Sequence, residues 1–177
     1  MTIRYFRQRG RFDCGPIVIL NALKWAGAPL AYRSLKKIRA HTHYSRLLGG
    51  TKARDISKTL HALGATYFTI RTDKHPRIEK IAKHVEHGGA VVLCYQWRKK
   101  EDWNIHKNWL IHIVLIIGMP IAGKKFRIAN YPFTKTTLYT ISRSLLCNDL
   151  RTRKDPTSGK RYPIAWYLKR KKVKHKT

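Results

Sequence analysis

Four residues have the types and the chain order that thiol chemistry requires: Gln8, Cys14, His112 and Asn130. Cys14 stands directly before Gly15 and Pro16, where the strongest helical pattern of the chain begins. A thiol at a helix N-terminus meets the positive end of the dipole and unpaired backbone N–H groups, both of which favour thiolate. Arg7, Arg9 and Arg11 add positive charge nearby. His112 interrupts the apolar run Leu110-Ile111-His112-Ile113-Val114-Leu115, which is costly unless the imidazole has partners. Asn130 ends the next strand-like stretch, before Tyr131-Pro132. An amide there can accept from one imidazole nitrogen and fix its tautomer, leaving the other nitrogen to take the proton of Cys14. Gln8 carries a side-chain amide that can donate to an oxyanion. Taken singly, each has a plainer reading: an inert buried thiol, a satisfied core histidine, an ordinary loop amide. His106 is the rival base, but Asn104 and Lys107 flank it and suggest a loop.

The elements that must position these groups can be read from periodicity. Residues 14–26 place Ile17, Val18, Leu20, Leu23 and Trp25 in a largely buried helix, with Pro16 in its first turn and Gly27 beyond its end. A short basic helix is expected over 31–40. Helices are also expected over 51–63, capped by Thr51 and stopped by Gly64, and over 76–87, stopped by Gly88. The period then changes to strands over 90–97, 109–118, 124–130, 136–141 and 164–168, with a short helix over 142–150. Loop signals gather at 49–50, 88–89, 119–125 and 151–161. Helices first and strands second predict an α+β domain, one helical layer against an antiparallel sheet built from the C-terminal half.

The order Gln…Cys…His…Asn resembles that of papain-like thiol peptidases. The stretch Gln8-Arg9-Gly10-Arg11-Phe12-Asp13-Cys14-Gly15-Pro16 is similar to the opening motif of the double-glycine, bacteriocin-processing peptidase family. Gly49-Gly50-Thr51, His112-Ile113-Val114-Leu115-Ile116-Ile117-Gly118 and Arg127-Ile128-Ala129-Asn130-Tyr131-Pro132 resemble its later segments. The resemblance covers roughly residues 5–135. It implies a papain-like fold and a cysteine peptidase acting on polypeptide without a cofactor. Cys14 would be the nucleophile, His112 the base and acid, Asn130 the orienting residue and Gln8 the oxyanion donor. Two departures stand out: Asn130 occupies a position where that family usually has Asp, and Tyr131 separates it from Pro132. The family's usual transporter segments are also lacking, so its substrate class does not carry over.

The chain has 177 residues, with 38 Lys and Arg against 9 Asp and Glu, for a formal net charge of +29. At 43% hydrophobic and 11% aromatic it is too apolar for a disordered basic polymer. Such charge points to an anionic partner, nucleic acid or an acidic assembly such as a virion, and says nothing of fold. The basic segment 169–177 is expected to be a tail on a domain spanning 1–168. Lys169, Arg170, Lys171, Lys172, Lys174 and Lys176 are its candidate phosphate contacts. Trp97, Trp103, Trp109, Tyr162, Trp166 and Tyr167 lie among basic residues and suit base stacking only if exposed.

Three widely spaced cysteines, Cys14, Cys94 and Cys147, fit neither a disulfide framework nor a zinc module, so a reducing, intracellular compartment is expected. Cys94 and Cys147 read as core. His41, His43, His84 and His87 read as surface histidines, not metal ligands. The N-terminus has no signal-peptide pattern, and no apolar run approaches the ~20 residues of a membrane span. The competing expectation is a catalytically silent, peptidase-like scaffold that uses the charge to bind nucleic acid or to serve as a virion component.

Overall fold

The computed structural model describes residues 3–8, 13–31, 34–44, 51–97, 110–121, 123–129, 137–150, 153–154 and 161–171. The elements in chain order are α1 (Cys14–Trp25), α2 (Leu35–His41), α3 (Ala53–Gly64), β1 (Phe68–Asp73), α4 (Ile78–Glu86) and β2 (Ala90–Trp97). Then follow β3 (Leu110–Ile121), β4 (Lys125–Ala129), β5 (Leu138–Ser142), α5 (Arg143–Asp149), β6 (Arg153–Lys154), β7 (Arg161–Tyr162) and β8 (Ile164–Arg170).

Six strands form one antiparallel sheet in the order β1-β8-β2-β3-β4-β5, and β6 pairs only with β7. Side chains alternate along a strand, so each strand supplies both faces of the sheet. On one face, Val92, Cys94, Ile113, Leu115, Trp166 and Leu168 join a core with α1, α2 and α3. On the other, Leu93, Tyr95, Val114, Ile116, Phe126 and Tyr167 pack beneath Ile81 and Val85 of α4 and Leu146 of α5. This is an α+β architecture, but the expected single helical layer is a correction: helices cover both faces. The physical reason is that β2 and β3 are apolar on every residue from 91 to 95 and from 113 to 116, and such strands must be buried twice.

β1 is one element that periodicity overlooked; the two-residue strands β6 and β7, in and beside the stretch read as loop over 151–161, are the others. β1 is an edge strand with only Phe68 fully buried and an otherwise exposed or half-buried pattern, held in place by pairing with β8. Its position between α3 and α4 also breaks the expected order of helices first and strands second. Gly64 ends α3 where a Cβ would meet the Phe68 ring at 2.1 Å, so glycine is needed for close packing as well as for termination. Gly27 and Gly88, with φ of +97° and +77°, follow α1 and α4 in the left-handed conformation that suits glycine.

Further expectations change. Thr51 does not cap α3, which starts two residues later with Lys52 at its N-cap. Cys147 is exposed, because α5 buries Leu146, in line with Leu150 just past its end, and the next position round the helix turns outward. Trp166 and Tyr167 are buried and offer no stacking platform. The segment read as a tail from Lys169 begins inside the sheet: Lys169 pairs with Thr69, Arg170 with Phe68, and the Lys171 N–H donates to the Tyr67 carbonyl.

Candidate active site

α1 forms because its apolar residues are nearly continuous, and it is buried from Gly15 to Leu23. Its first turn carries Cys14. Burial of Gly15 is tight: a Cβ there would lie 2.8 Å from Ile56 Cδ1 and 2.9 Å from Thr51 Cβ. The glycine therefore lets the first turn of α1 rest directly on Thr51 and α3. Thr51 Oγ1, part of that contact, is buried and has no hydrogen-bond partner among the described residues. We expect Gly15→Ala to lower stability by about 1–3 kcal/mol, the usual cost of overpacking, read as a lower urea midpoint; an unchanged midpoint would show that α1 and α3 separate freely.

Cys14 retains partial solvent exposure, but its sulfur lies deep against β3. Burial pushes the thiol up to about 11, and the backbone N–H groups of Ile113, Gly15 and Cys14 itself oppose that by donating to the sulfur. Asp13, immediately before it, adds a smaller upward push. The expectation that the helix N-terminus would favour thiolate is thus corrected: the N–H groups act as expected, but desolvation outweighs them.

His112 is near the start of β3, opposite Tyr95 of β2, and is 7% exposed. Its ring meets the Tyr95 ring edge-on with centroids 6.1 Å apart. By alternation it shares a face with Val114 and Ile116, whereas Cys14 approaches from the face of Ile113. What the fold brings together is the Cys14 sulfur and the Ile113 N–H, the backbone group next along from His112.

Gln8 is half-buried, with Oε1 shut off from solvent. Its approach to α1 is set by Asn21, a residue that the sequence reading passed over. The fully buried Asn21 side chain accepts from the Phe6 N–H at 2.7 Å and donates to the Phe6 carbonyl at 3.0 Å. Asn21 lies seven residues, about two turns, beyond Cys14 on the same side of α1, so the clamp ties the segment leading to Gln8 along the nucleophile helix. A polar residue in an otherwise apolar helix was the available signal, since a buried amide must have partners. Asn130 lies outside the described residues, though the expected antiparallel pairing of its strand with that of His112 is present between β4 and β3.

The second sulfur near Cys14 is that of Cys94, fully buried on β2 and raised by burial, with the neighbouring Cys14 pushing the same way. Among the described residues no three His, Cys, Asp or Glu side chains gather as a metal site. His84 is half-buried, contacting the Leu168 carbonyl at 2.9 Å and the Tyr167 ring edge-on, and so serves to join α4 to β8. Of the candidate phosphate contacts, Lys169, Arg170 and Lys171 are exposed, with Arg170 stacked over Trp25 at 4.6 Å. Lys172, Lys174 and Lys176 lie outside the described residues. No described helix is long and apolar enough to cross a membrane.

No family model matches the sequence, and no curated protein does. Among solved structures, the chain is similar to a Bacillus anthracis protein provisionally described as a C39-like peptidase, at 14% identity and a TM-score of 0.60, over 96% of each chain. At that identity the likeness speaks to architecture alone: this chain has the α+β fold of that C39-like peptidase structure.

Proposed function

We propose that this protein is a cysteine peptidase in which Cys14 is the nucleophile, His112 the general base and acid, Asn130 the orienting residue and Gln8 an oxyanion donor. The observation that carries the reading is the Cys14 sulfur, at the first turn of α1, held by the N–H next along from His112 in a C39-like peptidase fold. Because burial keeps the thiol neutral, proton transfer accompanies attack instead of preceding it. The sulfur bonds to the substrate carbonyl carbon as His112 takes its proton, a step that requires the ring to leave the Tyr95 side of β3 and turn toward the sulfur. The resulting oxyanion is held by the Gln8 amide and the Cys14 N–H. Collapse breaks the C–N bond, His112 protonates the leaving amine, and a thioester remains. Water attacks that thioester as His112 accepts its proton, the C–S bond then breaks to release the carboxylic acid, and His112 returns the proton to the Cys14 sulfur.

A thiol-reactive peptidyl inhibitor should label the wild type once, and Cys14→Ala should lose that label while retaining its fold. Labelling that persists in the variant, or moves to Cys94, would sink the assignment. In the free protein, alkylation of Cys14 should climb from pH 9 towards about 11, following the raised thiol. A plateau near neutral pH would mean a preformed thiolate–imidazolium pair instead.

The net charge of +29 is not needed for peptide hydrolysis, and we read it as the means of holding the enzyme against nucleic acid or an acidic assembly such as a virion. Burial of the nucleophile supports a second reading, a silent scaffold serving that anionic partner alone. Inhibitor labelling separates the two.

A further inference from the structure

Asp13 occupies the N-cap of α1 and does not cap it. An N-cap carboxylate ordinarily accepts the N–H of the second or third helical residue. Here the third is Pro16, which has no N–H, so the one helical donor open to Asp13 in that role is Gly15. Gly15 is also one of the groups that donates to the Cys14 sulfur. Carboxylate and thiol thus compete for the same N–H. The carboxylate is absent from the helix end because Arg39 of α2 holds it: Nε donates to Oδ1 at 3.2 Å and Nη2 to Oδ2 at 2.7 Å. Asp13 is 2% exposed, has φ −81° and ψ 5° and makes no side-chain cap bond. Arg39 is itself placed by the burial of Leu35 and Ile38 on α2 and by the Tyr44 ring, 5.3 Å from its guanidinium carbon.

We infer that Arg39 is a positioning residue for the Cys14 thiol: its two-pronged hold on Asp13 keeps the carboxylate off the first turn of α1 and reserves the Gly15 N–H for the sulfur. Loss of Arg39 has two possible outcomes of the same sign. Either the carboxylate swings onto the Gly15 N–H and displaces the sulfur, or it stays buried with its charge uncompensated beside the thiol. Both disfavour thiolate. Another titratable group beside the sulfur, among the described residues, is Cys94 from β2. The inference takes its catalytic meaning from Cys14 as nucleophile, but its test reads the thiol directly.

The experiment is alkylation of the full chain by iodoacetamide over pH 7–11, scored by mass spectrometry on the peptide containing Cys14. Arg39→Met should shift the profile upward by about one pH unit, roughly tenfold slower on the rising limb. Arg39→Lys keeps the charge but replaces the fork with a point cation, and should slow it about threefold. Asp13→Ala should be no slower than wild type, and adding Arg39→Met to it should change nothing further, since the two residues act as one unit. Equal slowing by Arg39→Met with and without Asp13, or no slowing by Arg39→Met or Arg39→Lys, overturns the inference. If Arg39→Met alone does not fold, Arg39→Lys and the double variant, which leaves no buried carboxylate, decide it. A wild type that alkylates as described but cleaves no peptide would retire the peptidase reading and leave this result standing.

Discussion

Replacing His112 with glutamine should lower peptide hydrolysis by roughly 10²–10⁴-fold, the usual contribution of a positioned general base. Glutamine is close in size, keeps a polar group against the edge of Tyr95, and cannot shuttle a proton at neutral pH. The fold should survive, since the apolar neighbours Ile113 to Ile116 are untouched. Alkylation of Cys14 at pH 10–11 should be nearly unchanged, because hydroxide then does what His112 does for the substrate reaction. Loss of hydrolysis with retained alkylation is the signature of a base. Hydrolysis retained within threefold would remove His112 from the mechanism, and His106, outside the described residues, would become the base to test.

Asn21→Leu should have the largest effect on stability of any polar substitution near the site. The amide satisfies both the N–H and the carbonyl of Phe6, and leucine, of similar volume, satisfies neither. Leaving two partly buried backbone groups without partners costs about 2–4 kcal/mol, a fall in Tm of roughly 5–15 °C for a chain of this size. Function should suffer separately. With the 3–8 segment released from α1, Gln8 is no longer delivered to the oxyanion, and kcat should fall by roughly 10²-fold below the melting transition. Differential scanning calorimetry and a turnover assay on the same sample would read both. A fall in Tm with unchanged kcat would show that Asn21 is structural only and that Gln8 finds its place without it.

These two residues show what was legible in the chain. His112 announced itself because a titratable side chain within an apolar run has a cost that must be met. Asn21 sat in a run just as apolar and met the same cost, yet its partner is a backbone group fifteen residues away, which no motif marks. Arg39 and Asp13 are alike in this respect, separated by twenty-six residues and joined only when α2 docks on α1. β1 escaped because an exposed edge strand has weak alternation of its own and is defined by pairing with β8, almost a hundred residues later. Cys147 looked apolar by its neighbours, but a short helix buries only the side chains spaced three or four apart.

By itself the sequence determined the positions and types of most elements, because periods of two and of 3.6 and the glycines that end helices are local properties. It also determined the chain order of Gln8, Cys14, His112 and Asn130, and hence the class of chemistry to look for. Only the tertiary structure decided the order of strands, the covering of both sheet faces, and the clamp and fork that set the first turn of α1. It decided as well the sign of the shift at Cys14, where the dipole and N–H groups favour thiolate but packing against β3 removes the water that would stabilise it. Desolvation depends on every neighbour at once, so no local stretch of residues could reveal it.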